Sequence, residues 1–343
     1  MQDDLFSDGA PPPAARLPRA RRSSPVEAAT PEARQLARAG QLPARLHLGT
    51  SSWSYPGWAG KVWAGEYSES LLARQGLAAY ARHPLLRCVG IDRTFYRALS
   101  SAQYAGYAAQ VPGSFRFLVK APSAVTDALV RDDAGRGLQA NPLFLDPLLA
   151  VRDYAEPALA GLGARLGALV FQLSPLPASW LADLPALFER LATMLAALPD
   201  LAPSAADAVV AVQVRNRELL GPAFAEVLRR AGATYCLGLH ASMPPIEEQL
   251  PMLRALWPGP LVCRWNLHRR HGAHGYEKAR RLYEPYDHIA DADPQTRAAL
   301  ARVALATCAA GWPAYIAIGN KAEGCAPESV FALAEAIATA GGP

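Results

Sequence analysis

The chain has 343 residues, of which 51% are hydrophobic and 19% charged, and its formal net charge is +4. That supplies enough apolar side chain for one large core, while no apolar run approaches the ~18 residues of a membrane span, so no membrane partner is expected. The small basic excess suits an anionic ligand and a nucleic acid equally and decides neither.

Residues 1–44 are rich in Pro, Ala and Arg (PPPAARLPRARRSSP) and poor in bulky apolar side chains. Such a segment buries too little surface to offset the entropy of ordering, so it is expected as a disordered tail with one short helix near 31–40. It lacks the charged-then-apolar pattern of a secretion signal, and a cytoplasmic location is the corresponding expectation.

From Arg45 onward eight short apolar runs recur: LHLGTSS (46–52), RCVGIDRT (87–94), FRFLVKA (115–121), GALVFQLS (167–174), VVAVQVRN (209–216), TYCLGLH (234–240), LVCRWN (261–266) and AYIAIGN (314–320). Helix-like stretches follow them at 68–83, 100–111, 146–165, 179–198, 218–232, 246–257, 294–311 and 327–341. Most of these place apolar residues at i, i+3, i+4 and i+7, and Pro294 and Pro327 open two of them. Strand and helix alternating eight times over 45–343 predict a single α/β domain, a (β/α)8 barrel of TIM type. In such a barrel, function belongs to the carboxyl ends of the strands. The connections 121–145 and 267–293 are long, which makes both candidate lids over that face.

Strand alternation then selects a lumenal set. Gln213 and Arg215 share a face with Val209 and Ala211; Arg264 and Asn266 with Val262; Gln172 with Val170. His240 follows Gly238 and Cys236, Asp92 follows Gly90 and Cys88, and Asn320 follows Ile318 and Ile316. A charged group facing the helical layer would be expensive, so these groups and Lys120 are expected to point into the lumen near its upper rim. Two arginines with Lys120 and Lys321 outnumber Asp92 and Glu323, so a small anionic ligand, phosphate or carboxylate, is expected. Arg215 and Arg264 would clamp it, and Gln172, Gln213, Asn266, Asn320, Lys321 and Glu323 would line it. Asp92, Lys120 and His240 are the proton-transfer candidates, with Lys120 able to act as a base or Schiff-base nucleophile if it loses its charge. The bland alternative is mutual satisfaction of these groups, such as an ion pair of Asp92 with Arg215.

Trp53 and Tyr55 lie just past the first strand, where they would stack on a ligand or pack over the barrel mouth. His268, His271 and His274 are evenly spaced, but Arg269 and Arg270 among them repel a cation, so no metal site is expected. Five scattered cysteines without a CxxC pair suggest neither a disulfide framework nor zinc. No GxGxxG, GxxxxGK[ST], HExxH or GxSxG motif occurs, and no cofactor is expected.

The segments GTSSWSYPGWAGKVW (49–63), GIDRTFY (90–96), VPGSFRFLVKAP (111–122), FQLSP (171–175), VQVRN (212–216) and GNKAEGCAP (319–327) together resemble the YecE-like family, domain of unknown function 72, over residues 46–341. The resemblance implies a TIM-type barrel and brings no settled reaction. Relatives commonly carry Glu where this chain has Gly90 and Gln213, and Asn where it has Asp92, which removes two carboxylates a family mechanism would use. Members have been likened to metal-dependent endonuclease barrels, yet the strand ends here carry no comparable set of His, Asp and Glu ligands. Three functions therefore stand side by side: an anion-binding enzyme of hydrolase or lyase type, a nucleic-acid-binding or endonuclease-like barrel, and a non-catalytic scaffold or sensor. Oligomeric state is not legible.

Overall fold

A computed structural model describes residues 25–132, 136–272 and 274–341. Ten strands appear in chain order: β1 (Leu46–Thr50), β2 (Cys88–Ile91), β3 (Arg116–Lys120), β4 (Leu129–Arg131), β5 (Gly137–Ala140), β6 (Leu166–Gln172), β7 (Val209–Gln213), β8 (Thr234–Leu239), β9 (Leu261–Trp265) and β10 (Ala314–Ile318). All except β4 and β5 close into one barrel in the order β1-β10-β9-β8-β7-β6-β3-β2, and every neighbouring pair is parallel. The fold is thus the α/β barrel expected from the eight runs.

The strands read as nearly unbroken apolar runs because both of their faces are buried, one by helices and one by the lumen. Outward residues such as Leu48, Val89, Leu169, Leu237 and Cys263 join the large core beneath the helices. The lumen is plugged separately by Cys88, Leu118, Ala168, Val170, Ala211, Cys236, Val262, Tyr315 and Ala317. At its lower end His47 stacks on Tyr315 with ring centroids 5.1 Å apart, and the Tyr315 hydroxyl donates to the Asp207 carbonyl at 2.7 Å. With the lower lumen filled, the lumen opens at its upper rim.

Side-chain caps start several outer helices, each satisfying a backbone N–H that the helix itself leaves free. Ser68 accepts from Leu71 N, Asp183 from Ala186 N, and Asp293 from Thr296 N, the last opening Pro294–Ala309 with proline at the first turn. Gly161 lets Glu156–Leu162 approach Ser101–Ala108, since a Cβ there would lie 2.3 Å from the Ser101 carbonyl oxygen.

Residues 1–24 of the expected tail lie outside the described residues, but 25–44 do not behave as a tail. Ala33–Gln41 is helical, Arg38 pairs with Glu335 at 2.7 Å, and Arg87 donates to the Ala39 carbonyl at 2.7 Å. Ala28 also bridges to Trp63, so this segment is fastened to the barrel wall rather than separated from it at residue 45. The connection after β3 holds the short antiparallel pair β4–β5, which the sequence reading leaves as loop. Among the described residues no helix is long and apolar enough to cross a membrane.

Candidate functional site

At the carboxyl ends of the strands lies a pocket of about 790 Å³. Asp92, Lys120, Gln172, Arg215, His240, Arg264, Asn266, Asn320 and Lys321 all contribute to its wall. The sequence reading names each of these.

Arg264 is the centre of the polar layer. Its register neighbours across β8 and β10 are Gly238 and Ala317, small residues that leave room for a guanidinium inside the lumen. Arg264 Nη1 donates to Gln172 Oε1 at 2.7 Å and Gln213 Oε1 at 2.9 Å, and Nη2 donates to Asp92 Oδ2 at 2.5 Å. The Asp92 ion pair therefore belongs to Arg264, not to Arg215. Burial alone would disfavour the Arg264 charge, yet Asp92 raises its pKa above the usual arginine value.

Arg215 stands differently. It is 8% exposed and its Nη2 donates to Gln172 Oε1 at 3.1 Å, while Nη1 is buried with no hydrogen-bond partner among the described residues. Among the described residues no carboxylate pairs with it, and burial lowers its pKa, opposed chiefly by Tyr276 through its charge and a side-chain hydrogen bond. Other polar atoms of the pocket are also unpartnered: Asp92 Oδ1, Asn266 Oδ1 and Asn320 Nδ2. Asn320 Oδ1 is fixed by two donors, Trp58 Nε1 at 3.2 Å and Ala326 N at 2.9 Å, which leaves the amide nitrogen as its free end.

Lys120 ends β3, and its Nζ sits 3.6 Å from the centroid of the Phe95 ring. Phe95 is carried by the 3₁₀ turn Arg93–Phe95, anchored where Thr94 Oγ1 donates to the Lys120 carbonyl at 2.5 Å. Burial lowers the Lys120 pKa to about 7, with Asp92 pulling it up and Arg264 and Arg215 pushing it down. His240 is buried, and its Nδ1 accepts from the Ser242 backbone N–H at 3.1 Å. Burial, then the Arg215 charge, lower its pKa to about 3, so at neutral pH it is a neutral imidazole with Nε2–H as donor. It offers a hydrogen bond there, not an acidic proton.

Three expected members lie elsewhere. Trp53 is buried against Tyr107, edge to face with centroids 5.3 Å apart, and it is Tyr55 that reaches the pocket wall. Gln213 is wholly buried beneath the pocket; its amide lies 3.0 Å from where a Cβ on Gly238 would be. Glu323 is wholly buried too, accepting from Asp293 N at 2.6 Å and pairing with Arg297 at 3.3 Å, so it ties the last barrel loops together. The face of β10 is also the reverse of that expected: Tyr315 and Ala317 fill the lumen while Ile316 and Ile318 face the helices. Asn320 reaches the pocket because the chain turns at Gly319 into a 3₁₀ segment, where alternation no longer holds.

Phe95, Tyr96, Ser51, Ser242 and Tyr276 line the pocket without having been singled out. Phe95 and Tyr96 sit three and four residues past Asp92, a proximity that would have found them. Tyr276 comes from the 267–293 connection, together with His274; among its described residues the 121–145 connection contributes none to the wall. His268 and His271 are engaged locally, His268 Nδ1 by Arg270 N at 3.2 Å and His271 Nε2 by the Tyr283 hydroxyl at 2.6 Å. No cluster of three or more potential metal ligands occurs among the described residues. Gly90 is packed so that a Cβ would lie 2.8 Å from the Ser51 carbonyl oxygen, leaving no place there for a larger side chain.

The structure is similar to that of a DUF72 family protein from Enterococcus faecalis, with a TM-score of 0.53 and 16% identity, covering 85% of this chain and 95% of that one. A DUF72 family protein from Thermotoga maritima is similar at a TM-score of 0.52 and 18% identity, covering 84% and 97%. At these identities the likeness is one of fold. No curated protein matches the sequence. The family model described as "Protein of unknown function DUF72" matches residues 47–342, essentially the whole barrel, and the chain belongs to that family.

Proposed function

We propose that the barrel mouth binds a small molecule bearing a carboxylate or phosphate, with Arg215 as its principal contact. One observation carries this: among the described residues Arg215 is a buried guanidinium without a counter-ion, its Nη1 unpartnered beside an open pocket. A buried charge left uncompensated costs several kcal/mol. An anion would remove that cost, and an arginine fork matches carboxylate and phosphate oxygens in two-point contact. Lys321, on the same wall, adds a second cation beside the Tyr276 and Tyr286 rings, and Asn320 Nδ2 adds a neutral donor. Arg264 is already matched by Asp92, so it shapes the site and leaves the ligand to Arg215.

Thermal unfolding with inorganic phosphate or acetate against chloride at equal ionic strength tests this. Stabilisation by the oxyanions is expected in the wild type and its loss in Arg215→Met; equal stabilisation of both proteins would refute the site. A ligand at a hundred times its dissociation constant stabilises by ~2.7 kcal/mol, a shift large enough to read.

A single-stranded nucleic acid is the second occupant with an observation of its own. Tyr96 is 86% exposed at the pocket lip between the exposed Arg93 and Arg97, a ring free to stack on a base. Affinity for single-stranded DNA falling steeply with salt, and lost in Tyr96→Ala, is what that occupant requires.

A further inference from the structure

We propose that Lys120 is a carbonyl-trapping nucleophile: its amine condenses with an aldehyde or ketone whose anionic group is held by Arg215, forming a Schiff base inside the barrel mouth. This rests on the anion site just described and names the class of molecule that would fill it.

The chain has 34 lysines and arginines together, and only Lys61, Lys120, Lys278 and Lys321 are lysines. Most of its cations are arginines, including Arg215 and Arg264 in the lumen, and among the lysines Lys61 is taken up by an ion pair with Glu328. A lysine at the end of β3 differs in one chemical respect: it can shed its proton and become a nucleophile. The surroundings favour that. Among the described residues Nζ has neither a hydrogen bond nor an ion pair; it rests on the Phe95 face, and the carboxylate of the lumen, Asp92, is engaged by Arg264. The charged groups acting on it are Asp92 from the end of β2, Asp127 from the loop after β3, Arg215 after β7 and Arg264 on β9. With burial the largest influence, these hold the amine near pH 7, so a large share is neutral under ordinary conditions.

Condensation needs no oxidant or further reactant. The nitrogen lone pair forms the C–N bond as the carbonyl π pair moves onto oxygen, giving a carbinolamine. The two protons that nitrogen loses leave with that oxygen as water, and the imine takes one solvent proton to become an iminium. Asp92 Oδ1, which has no hydrogen-bond partner among the described residues, is a proton acceptor on the same wall. The His240 Nε2–H is a donor for the departing oxygen. A pocket of about 790 Å³ admits a small carbonyl acid or sugar phosphate with room to spare.

The test is reductive trapping on the wild-type protein, using pyruvate and dihydroxyacetone phosphate as anionic probes, acetone as the neutral one, and sodium cyanoborohydride as reductant. Intact mass and peptide mapping read the product. One adduct per chain, on Lys120, is expected with an anionic probe, requiring the reductant, at least tenfold faster than with acetone and slowed by inorganic phosphate. Which of the two anionic probes reacts distinguishes a carboxylate from a phosphate substrate. Labelling spread over Lys61 and Lys278, or confined to Lys321, overturns the assignment to Lys120, and acetone reacting as fast as pyruvate overturns the anionic class. Absence of an adduct with either probe, while phosphate still raises the melting temperature, refutes the Schiff base and leaves the anion site standing. If phosphate fails to stabilise the wild type, the anion site itself is what has failed.

Discussion

Two buried lumenal arginines are expected to respond differently to the same replacement. Arg264 is 2% exposed and fully matched, by Asp92 and two glutamine carbonyls; Arg215 is 8% exposed and matched by one glutamine carbonyl at 3.1 Å. Methionine keeps much of the length and apolar stem of arginine and removes the charge and its hydrogen-bond donors. In Arg264→Met the Asp92 carboxylate and the two amide oxygens lose their donor. Breaking a buried pair costs ~3–5 kcal/mol, and the 35% exposure of Asp92 discounts this to roughly 2–4 kcal/mol of destabilisation. In Arg215→Met the variant loses one charged hydrogen bond, about 1.5–3 kcal/mol, but escapes a desolvation cost of several kcal/mol. The expected net is an unchanged or increased stability of the unliganded protein, by up to about 2 kcal/mol. Urea unfolding in a buffer free of phosphate and carboxylate measures both. A loss above about 1 kcal/mol in Arg215→Met would mean that the protein itself supplies the missing counter-charge, and the case for an anion site would fall.

Lys120 makes stability depend on pH. In the unfolded chain it titrates near 10.5, and in the folded protein, chiefly through burial, near about 7. Between these values the unfolded state binds more protons, so the contribution of this group rises as pH climbs from about 7 toward 10 and is constant below. Unfolding free energies of wild type minus Lys120→Met should increase over that window; a pH-independent difference contradicts the burial of the amine. Glu323→Ala should lose about 3–5 kcal/mol through the stranded Arg297. Its response to phosphate should nonetheless persist, whereas loss of that response in a folded variant would return Glu323 to the ligand site. Gly161→Ala should destabilise by ~1–3 kcal/mol, because its Cβ would lie 2.3 Å from Ser101 O and 2.5 Å from Tyr104 Cβ. Unaltered stability there would show that the two helices separate freely.

The barrel was legible in the sequence because its signal is local. A strand buried on both faces must be apolar along its length, and a helix covering it must carry a 3.6-residue stripe, so eight repeats of both leave few alternatives. Alternation likewise placed Gln172, Arg215, His240 and Arg264 on the lumen side, since a two-residue period within one strand needs no knowledge of its neighbours. Where regular backbone ended, that logic ended with it. Asn320 arrives at the pocket through a 3₁₀ turn, from a strand whose lumenal residues are Tyr315 and Ala317. The pair β4–β5 is short, with β5 wholly exposed, and so carries no hydrophobic pattern to read.

What only the tertiary structure decided is who stands next to whom. The sequence supplied Asp92, Arg215 and Arg264, and its reading paired the carboxylate with Arg215. Closure of the sheet brings Asp92 to Arg264, across the small residues Gly238 and Ala317, and leaves Arg215 beside Gln172 and Tyr276, without a carboxylate among the described residues. The same closure puts Glu323 under a loop, Trp53 against Tyr107, and Phe95 over the Lys120 amine. A side chain's identity sets its charge and reach, but electrostatic energy depends on distance and burial, and both are fixed by residues far away in the chain.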